Sequence, residues 1–202
     1  MLAGLPADAW VIAADGGIAH AFALGLTVDE AVGDFDSASA PDLARVQAGG
    51  GRIERHPVAK DATDLELALG LAVARQPRRV VVIGGHGGRF DHWLGNAFLL
   101  AAPAYASVEL VARMGAATLT VVRRSAVLHG SPGELVSLLP VHGPASAVRT
   151  EGLLYPLVDE DLPVGTTRGV SNVFVDSRAT VSLTSGVLLA VQPGQQSGGA
   201  RS

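Results

Sequence analysis

The sequence predicts an α/β domain with a mainly parallel sheet over residues 1–113, followed by an all-β, sandwich-like domain over residues 114–191. In the first part, short apolar segments alternate with helical segments, which is the pattern of a parallel sheet with helices on its faces. In the second part, short strand segments are separated by Gly, Pro and Ser turns without a convincing helix between them. Residues 192–202 are rich in Gly, Gln and Ser, and we expect a disordered tail there.

The strands of the first domain are predicted from short apolar runs at residues 10–14, 31–32 and 79–83, and we expect a further extended segment at residues 52–58. The predicted helices follow them at residues 18–24, 40–49, 64–75 and 91–100. Thr63, with Glu66 three residues later, forms a capping-box pattern at the start of the third helix. The strands of the second domain are predicted at residues 117–122, 135–139, 147–150, 173–175, 179–183 and 187–191.

The composition indicates a globular protein. Of 202 residues, 48% are hydrophobic and 17% are charged, which excludes a disordered chain, and no apolar stretch approaches the roughly 20 residues of a membrane span. A net charge of -4 without a basic stripe argues against nucleic-acid binding. The chain has no cysteine, which excludes disulfides and thiolate chemistry, and its first residues lack a secretory signal. We therefore expect a cytoplasmic protein.

Carboxylates follow several of the predicted strands. Asp34 and Asp36 come directly after an apolar segment, and in an extended chain both would point to the same side and face one hard cation. Asp15 precedes them, and Asp64 follows at a helix start. Any one such cluster is more often a plain turn, since Asp and Gly are common turn residues. Several of them at the carboxyl ends of parallel strands predict a site at one edge of the sheet.

The same segments contain the features of a phosphate site, although the sequence has neither a P-loop nor a G-x-G-x-x-G motif. Glycines at residues 16–17, 84–85 and 87–88 allow the backbone to approach a bulky ligand. A carboxylate cluster would repel bare polyphosphate, and Mg²⁺ reconciles the two because it binds carboxylates and phosphate oxygens together. Lys60 and Arg89 are the neighbouring cations. The alternatives are a solvated lysine at a helix start and an arginine paired with Asp91.

Nine motifs, in order and at plausible spacing, resemble the signature series of bacterial thiamine pyrophosphokinase. They are the segments at residues 15–17, 33–37, 60–66, 84–92, 95–96, 137–140, 152–157, 169–172 and 186–189. The resemblance covers about residues 10–191, and the combined series is specific although no single motif is. Members of that family usually begin with a further strand and a glycine-bearing loop. Since only fourteen residues precede Asp15, we expect either an upstream start or a sheet lacking an edge strand.

The resemblance implies transfer of a diphosphoryl group from ATP to the hydroxyethyl group of thiamine, giving thiamine diphosphate and AMP. It implies that Asp34, Asp36 and Asp64 bind Mg²⁺ and act in catalysis together with Arg89. It further implies that these residues bind nucleotide or thiamine: Asp15, Gly16, Gly17, Ser37, Lys60, Thr63, Gly87, Gly88, Asp91, His92, Ser171 and Asn172.

The family also implies a homodimer in which the second domain of one subunit completes the active site of the other. Two alternatives stay open. The first is a non-catalytic nucleotide- or thiamine-binding scaffold of the same fold, and the second is a Mg²⁺-dependent phosphotransferase that uses another acceptor alcohol. Ser171 and Asn172 could instead form a plain β-turn, and His92 could be a hydrogen-bonded residue at a helix start.

Overall fold

The computed structural model describes residues 5–6, 8–86 and 88–194. Its contacts divide the chain into two compact units, Met1–Pro77 and Arg78–Ser202, which we call the first and second units. This division falls before the predicted domain boundary at residue 113, because the two strands between residues 78 and 114 pair with each other and with the strand that follows them. Among the described residues, no helix has both the length and the apolar character needed to cross a membrane.

The first unit contains a three-stranded parallel sheet, and the parallel arrangement predicted for these strands is confirmed. The strands, in sheet order, are β1 (Ile12–Ala14), β2 (Glu30–Gly33) and β3 (Arg52–Arg55). The helices are α1 (Gly17–Ala23), α2 (Ala40–Ala48) and α3 (Asp64–Ala74). A buried cluster that includes Ile18, Val28 and Val46 contains residues of α1, α2 and the sheet.

The starts of α2 and α3 are set by side-chain caps. Ser39 Oγ accepts a hydrogen bond from the N–H of Asp42, and Thr63 Oγ1 accepts one from the N–H of Glu66, both at 3.2 Å. Each bond satisfies an amide that the first turn of a helix leaves without an intrahelical partner. The helix start predicted at Thr63 is therefore confirmed, which fixes the position of Asp64 in the first turn of α3.

The second unit begins with β4 (Arg79–Ile83), α4 (Phe90–Leu100) and a short 3₁₀ turn (Pro103–Tyr105). In the described part of this unit, nine strands follow: β5 (Glu109–Met114), β6 (Ala117–Val122), β7 (Ser125–His129), β8 (Leu135–Pro140), β9 (Ala145–Glu151), β10 (Glu160–Leu162), β11 (Asn172–Val173), β12 (Arg178–Ser182) and β13 (Leu188–Gln192). They form a six-stranded sheet in the order β11-β8-β13-β6-β5-β4 and a four-stranded antiparallel sheet in the order β10-β9-β12-β7. One hydrophobic core cluster contains residues of both sheets.

Several expectations for the second unit are corrected. The mainly parallel sheet predicted up to residue 113 is instead two sheets. Strands β1–β3 form one, and β4 and β5 belong to the six-stranded sheet, where β4 pairs in parallel with β5 and β5 pairs antiparallel with β6. Strands β5, β7 and β10 were not predicted, since their apolar residues are interrupted by charged or polar ones. Gln192, expected to begin the tail, instead ends β13 opposite Thr118. Residues 195–202 of that predicted tail lie outside the described part of the chain.

Candidate active site

The loop after β2 brings two aspartates together through a turn. Phe35 lies between them with a positive φ of 62°, and its side chain is buried. The N–H of Asp36 donates to Asp34 Oδ1 at 3.2 Å. The prediction of an extended segment at this point is wrong, because a buried aromatic ring anchors a turn there. The two carboxylates nevertheless come together.

Arg55, the last residue of β3, supports this turn. Its Nη1 donates to the main-chain oxygen of Asp34 at 3.0 Å, and its guanidinium carbon lies 4.9 Å from the centre of the Phe35 ring. Arg55 pairs with Gly33 in the parallel register of β2 and β3. The sequence analysis missed Arg55, since the strand register decides which side chain reaches the loop. The only available signal was an arginine in the third predicted strand.

Asp15 belongs to the same group of carboxylates. It follows β1, has a positive φ of 43°, and its N–H donates to the main-chain oxygen of Val32 at 2.9 Å. Asp15, Asp34 and Asp36 each offer one carboxylate oxygen, and these oxygens lie within 4.8 Å of one another. A non-glycine residue with positive φ is held there by its surroundings at a cost of about 1–3 kcal/mol. The turn therefore directs Asp15 toward the other two carboxylates.

Gly33 allows Asp64 to approach this group. Its φ is 145°, and a β-carbon at this position would lie 3.0 Å from Asp64 Oδ1 and 3.2 Å from the β-carbon of Asp15. Such distances are shorter than ordinary contacts, so a side chain at residue 33 would displace the carboxylates. We name Asp15, Asp34, Asp36 and Asp64 the acidic cluster.

Lys60 is the cation of the acidic cluster. Its Nζ lies 3.1 Å from Asp34 Oδ2 and 3.0 Å from Asp64 Oδ1, and 14% of its side chain is exposed. The carboxylate of Asp64 raises the pKa of the Lys60 ammonium group, burial partly offsets this rise, and Asp34 adds to it. In return, the hydrogen bond from Lys60 lowers the pKa of Asp34. Lysine and aspartate are therefore both charged at neutral pH.

The donor set fits a hard divalent cation. Asp15 Oδ1 is buried and has no hydrogen-bond partner among the described residues. Asp64 Oδ1 is also buried and accepts no hydrogen bond of good geometry, although Lys60 Nζ is close. Buried carboxylate oxygens without partners are unfavourable unless a positive charge neutralises them. Oxygen ligands of this kind are those that Mg²⁺ prefers, and through the ion they can bind phosphate.

Other predicted site residues of the first unit lie beside the acidic cluster. Ser37 Oγ donates to Asp36 Oδ1 at 2.9 Å. A β-carbon on Gly16 would lie 3.4 Å from the β-carbon of Ser37, so the loop after β1 runs next to the loop after β2. Gly17 begins α1, and Thr63 caps α3 one residue before Asp64. Ser37 therefore contacts the acidic cluster directly, and Thr63 precedes one of its members in the chain.

The glycine-rich loop of the second unit follows β4. Gly84 and Gly85 have positive φ values of 96° and 77°, and Gly85 accepts a hydrogen bond from Asn96 Nδ2 at 3.0 Å through its main-chain oxygen. A β-carbon on Gly88 would contact nothing within 4 Å. Gly87, a predicted phosphate-binding residue, lies outside the described residues. The loop therefore leaves open space around Gly88.

Arg89 pairs with Asp91 in this structure. The sequence analysis gave this ion pair as the alternative to a phosphate-binding arginine. The guanidinium donates from Nε to Asp91 Oδ1 at 3.2 Å and from Nη2 to Oδ2 at 2.6 Å. The hydrogen bonds from Arg89 lower the pKa of Asp91 to about 2. Both side chains are more than half exposed, so the pair contributes little to stability. His92 is exposed in the first turn of α4.

Asn172 is buried, and its amide group binds the main chain. Asn172 Oδ1 accepts hydrogen bonds from the N–H of Tyr155 at 3.0 Å and from that of Val173 at 2.9 Å. Its Nδ2 donates to the main-chain oxygen of Tyr155 at 2.7 Å. Ser171 is exposed with a positive φ of 57°, and its N–H donates to Ser137 Oγ at 3.1 Å. Of these two predicted site residues, Ser171 is accessible, whereas the side chain of Asn172 holds the segment that contains Tyr155.

The first unit therefore has a site suited to a metal-dependent phosphotransfer enzyme, because its carboxylates can neutralise phosphate through a divalent cation. The sequence model of the thiamin pyrophosphokinase catalytic domain matches residues 5–112, and that of the thiamin pyrophosphokinase vitamin B1 binding domain matches residues 120–188. The chain belongs to the thiamine pyrophosphokinase family.

Individual relatives agree with this assignment. A thiamine pyrophosphokinase of Bacillus subtilis (strain 168) is 29% identical in a 191-residue alignment that covers 90% of this chain and 86% of that protein. The crystal structure of thiamine pyrophosphokinase from Bacillus subtilis has a TM-score of 0.83 at 26% identity, covering 95% of this chain and 91% of that one. The crystal structure of thiamin pyrophosphokinase from Geobacillus thermodenitrificans has a TM-score of 0.79 at 28% identity, covering 96% and 90%.

Proposed function

We propose that the acidic cluster binds the Mg²⁺ ion with which this enzyme makes thiamine diphosphate and AMP from thiamine and ATP. The family assignment supports the reaction. The observations that support the metal site are that carboxylate oxygens of Asp15, Asp34 and Asp36 lie within 4.8 Å of one another, and that Asp64 Oδ1 is buried close to Lys60. Four like charges are not placed together for stability alone, so a ligand accounts for them best.

Charge neutralisation and positioning supply most of the catalysis in phosphoryl-type transfer. Bound Mg²⁺ lowers the negative charge that the phosphates present to the incoming hydroxyl group. Asp34, Asp36 and Asp64 would hold it, and Asp15 assists at the same place. Lys60 and Arg89 would bind the negatively charged phosphates. Arg89 would then have to leave the carboxylate of Asp91 and pair with phosphate instead.

The remaining predicted residues would complete the substrate-binding surfaces. Glycines and short side chains would let the backbone approach the nucleotide. The residues of this kind are Gly16, Gly17, Ser37, Thr63, Gly87 and Gly88. Asp91, His92 and Ser171 would contact thiamine or nucleotide directly. Asn172 would act by holding the main chain of Tyr155, a role supported by the two hydrogen bonds between them. A cationic thiazolium is attracted to an acidic surrounding.

We also propose a homodimer, a catalytic domain over residues 1–113 and a thiamine-binding β-sandwich over residues 114–191. The two matched family models separate at residues 112 and 120, close to this boundary.

In the proposed dimer, the second domain of one subunit completes the site of the other. Mixing an Asp36→Asn protein with an Asn172→Ala protein should then restore some activity. Failure after verified subunit exchange would exclude shared sites. A cytoplasmic location stays a prediction.

The central test is formation of AMP and thiamine diphosphate by purified protein, measured as a function of Mg²⁺ concentration. Asp36→Asn should abolish turnover while circular dichroism and thermal stability stay close to those of the parent. Thr184→Ala, at an exposed position of the second unit, serves as a control and should keep activity. Wild-type activity of Asp36→Asn at limiting Mg²⁺ would contradict the metal assignment. Binding of ATP and thiamine without turnover by the parent protein would favour the scaffold alternative.

A further inference from the structure

The position of Lys60 has a consequence for when the acidic cluster can bind metal. Its ammonium group contacts two of the four carboxylates, Asp34 and Asp64, at 3.1 and 3.0 Å. Both carboxylates are among the proposed Mg²⁺ ligands. An ammonium group and a divalent cation at the same oxygens compete, because like charges a few ångströms apart repel in a partly buried setting.

The described arginines of the first unit make no ion pair with the carboxylates of the acidic cluster. Arg55 donates to the main-chain oxygen of Asp34 and stacks on Phe35, so its contact is with the loop and not with the carboxylate. Arg52 and Arg75 pair with the buried Glu30. Among the described residues, Lys60 is the only cation with an ion pair to a member of the acidic cluster.

We propose that Lys60 is a built-in counter-cation of the acidic cluster, which occupies Asp34 and Asp64 in the nucleotide-free protein and leaves them when Mg²⁺ binds. This inference rests on the proposed metal site. Its consequence is that the protein without nucleotide binds divalent ions weakly, although its carboxylates are already assembled. The released ammonium group is then free to meet the phosphate charge that accompanies the ion as a nucleotide complex.

A first experiment measures metal binding without nucleotide or thiamine. Mn²⁺ serves as the probe, and free Mn²⁺ is followed by electron paramagnetic resonance. Lys60→Met should bind Mn²⁺ about tenfold or more tightly than the parent, because removal of one close competing charge has an effect of this order. Lys60→Gln is a second variant that keeps a polar side chain in case the methionine variant folds poorly. Affinity equal to or weaker than that of the parent in folded variants would overturn the proposal.

Two controls separate this proposal from its premise. Arg78→Met removes the same charge at a side chain that is 90% exposed, and it should leave the Mn²⁺ affinity within about twofold of the parent value. Asp36→Asn, alone and combined with Lys60→Met, should abolish binding. If Asp36→Asn still binds Mn²⁺ normally, the proposed metal site is wrong. If it loses binding while Lys60→Met binds like the parent, only the counter-cation proposal fails.

A second experiment observes the ammonium group directly, because Lys60 is the single lysine of the chain. Protein labelled with ¹³C at the lysine ε-carbon gives one ε-methylene signal in an NMR spectrum, which needs no assignment by mutagenesis. Addition of Mg²⁺ with a non-hydrolysable ATP analogue should shift this signal in the parent protein and not in Asp36→Asn. An unchanged signal at saturation, with saturation verified by ion binding, would show that Lys60 keeps its carboxylates and would overturn the proposal.

Discussion

Replacement of Asn172 by alanine is expected to destabilise the second unit, although the position lies outside the acidic cluster. The side chain is only 3% exposed, and it makes three hydrogen bonds to main-chain groups of Tyr155 and Val173. Alanine removes all three hydrogen bonds. It leaves the N–H groups of Tyr155 and Val173 and the main-chain oxygen of Tyr155 without the side-chain amide as their partner. A lost hydrogen bond costs about 1 kcal/mol, and a buried group left unpaired costs about 1–3 kcal/mol. Since some relaxation or water entry is expected, the free energy of unfolding should fall by about 2–4 kcal/mol.

The assay combines denaturant unfolding with hydrogen exchange. Urea titrations followed by circular dichroism give the change in midpoint, and amide exchange measured by mass spectrometry reports on the segment around Tyr155. Protection should be lost at Tyr155 and Val173 first. Ser171→Ala is the matched control, because it changes the preceding exposed side chain and keeps all three bonds; its stability should change by less than about 0.5 kcal/mol.

The kinetic consequence distinguishes a residue that holds the chain from one that touches substrate. If Asn172 acts through Tyr155, Asn172→Ala should raise the KM for thiamine more than that for ATP, together with the loss of protection. Ser171→Ala should raise the thiamine KM with protection intact if Ser171 contacts thiamine. A destabilisation below about 0.5 kcal/mol in Asn172→Ala, with normal exchange at Tyr155, would refute the reasoning from these hydrogen bonds.

Two further predictions concern the loops. Gly33→Ala should weaken Mn²⁺ binding and destabilise the protein by about 1–3 kcal/mol, because its β-carbon would press on Asp64 and Asp15 at a strained φ. Gly70→Ala, in open space within α3, should instead stabilise the protein by about 0.5–1 kcal/mol. Equal effects of the two variants would contradict this prediction. The Asp91 carboxyl should titrate near pH 2 in carboxyl NMR, and in Arg89→Gln its midpoint should rise toward the ordinary value of 3.8. Because the folded pKa is lowered, the contribution of this pair is complete above about pH 4 and is lost as the pH falls toward 2. An unchanged midpoint in Arg89→Gln would exclude Arg89 as the cause.

Local sequence patterns were sufficient for most of the elements. Thr63 and Glu66 mark a helix start that the structure confirms by a hydrogen bond, and the strand predicted at residues 79–83 is β4. Patterns of this kind succeed because caps and apolar runs act over a few neighbouring residues. They fail at β5 and β7, where pairing with distant strands decides the conformation, and at β10, whose three residues are too few to show a pattern.

The sequence by itself determined the family, the order of the two halves and the carboxylates that meet in the first unit, because these depend on motifs whose residues are close in the chain. Only the tertiary structure decided how the carboxylates meet. The buried Phe35 turns the chain between Asp34 and Asp36, and a register of parallel strands brings Arg55 to their loop. The tertiary structure also decided that the side-chain amide of Asn172 binds the main chain of Tyr155, since the two residues belong to segments that are separate in sequence. Contacts of this kind depend on packing and register between distant segments, which no local pattern encodes.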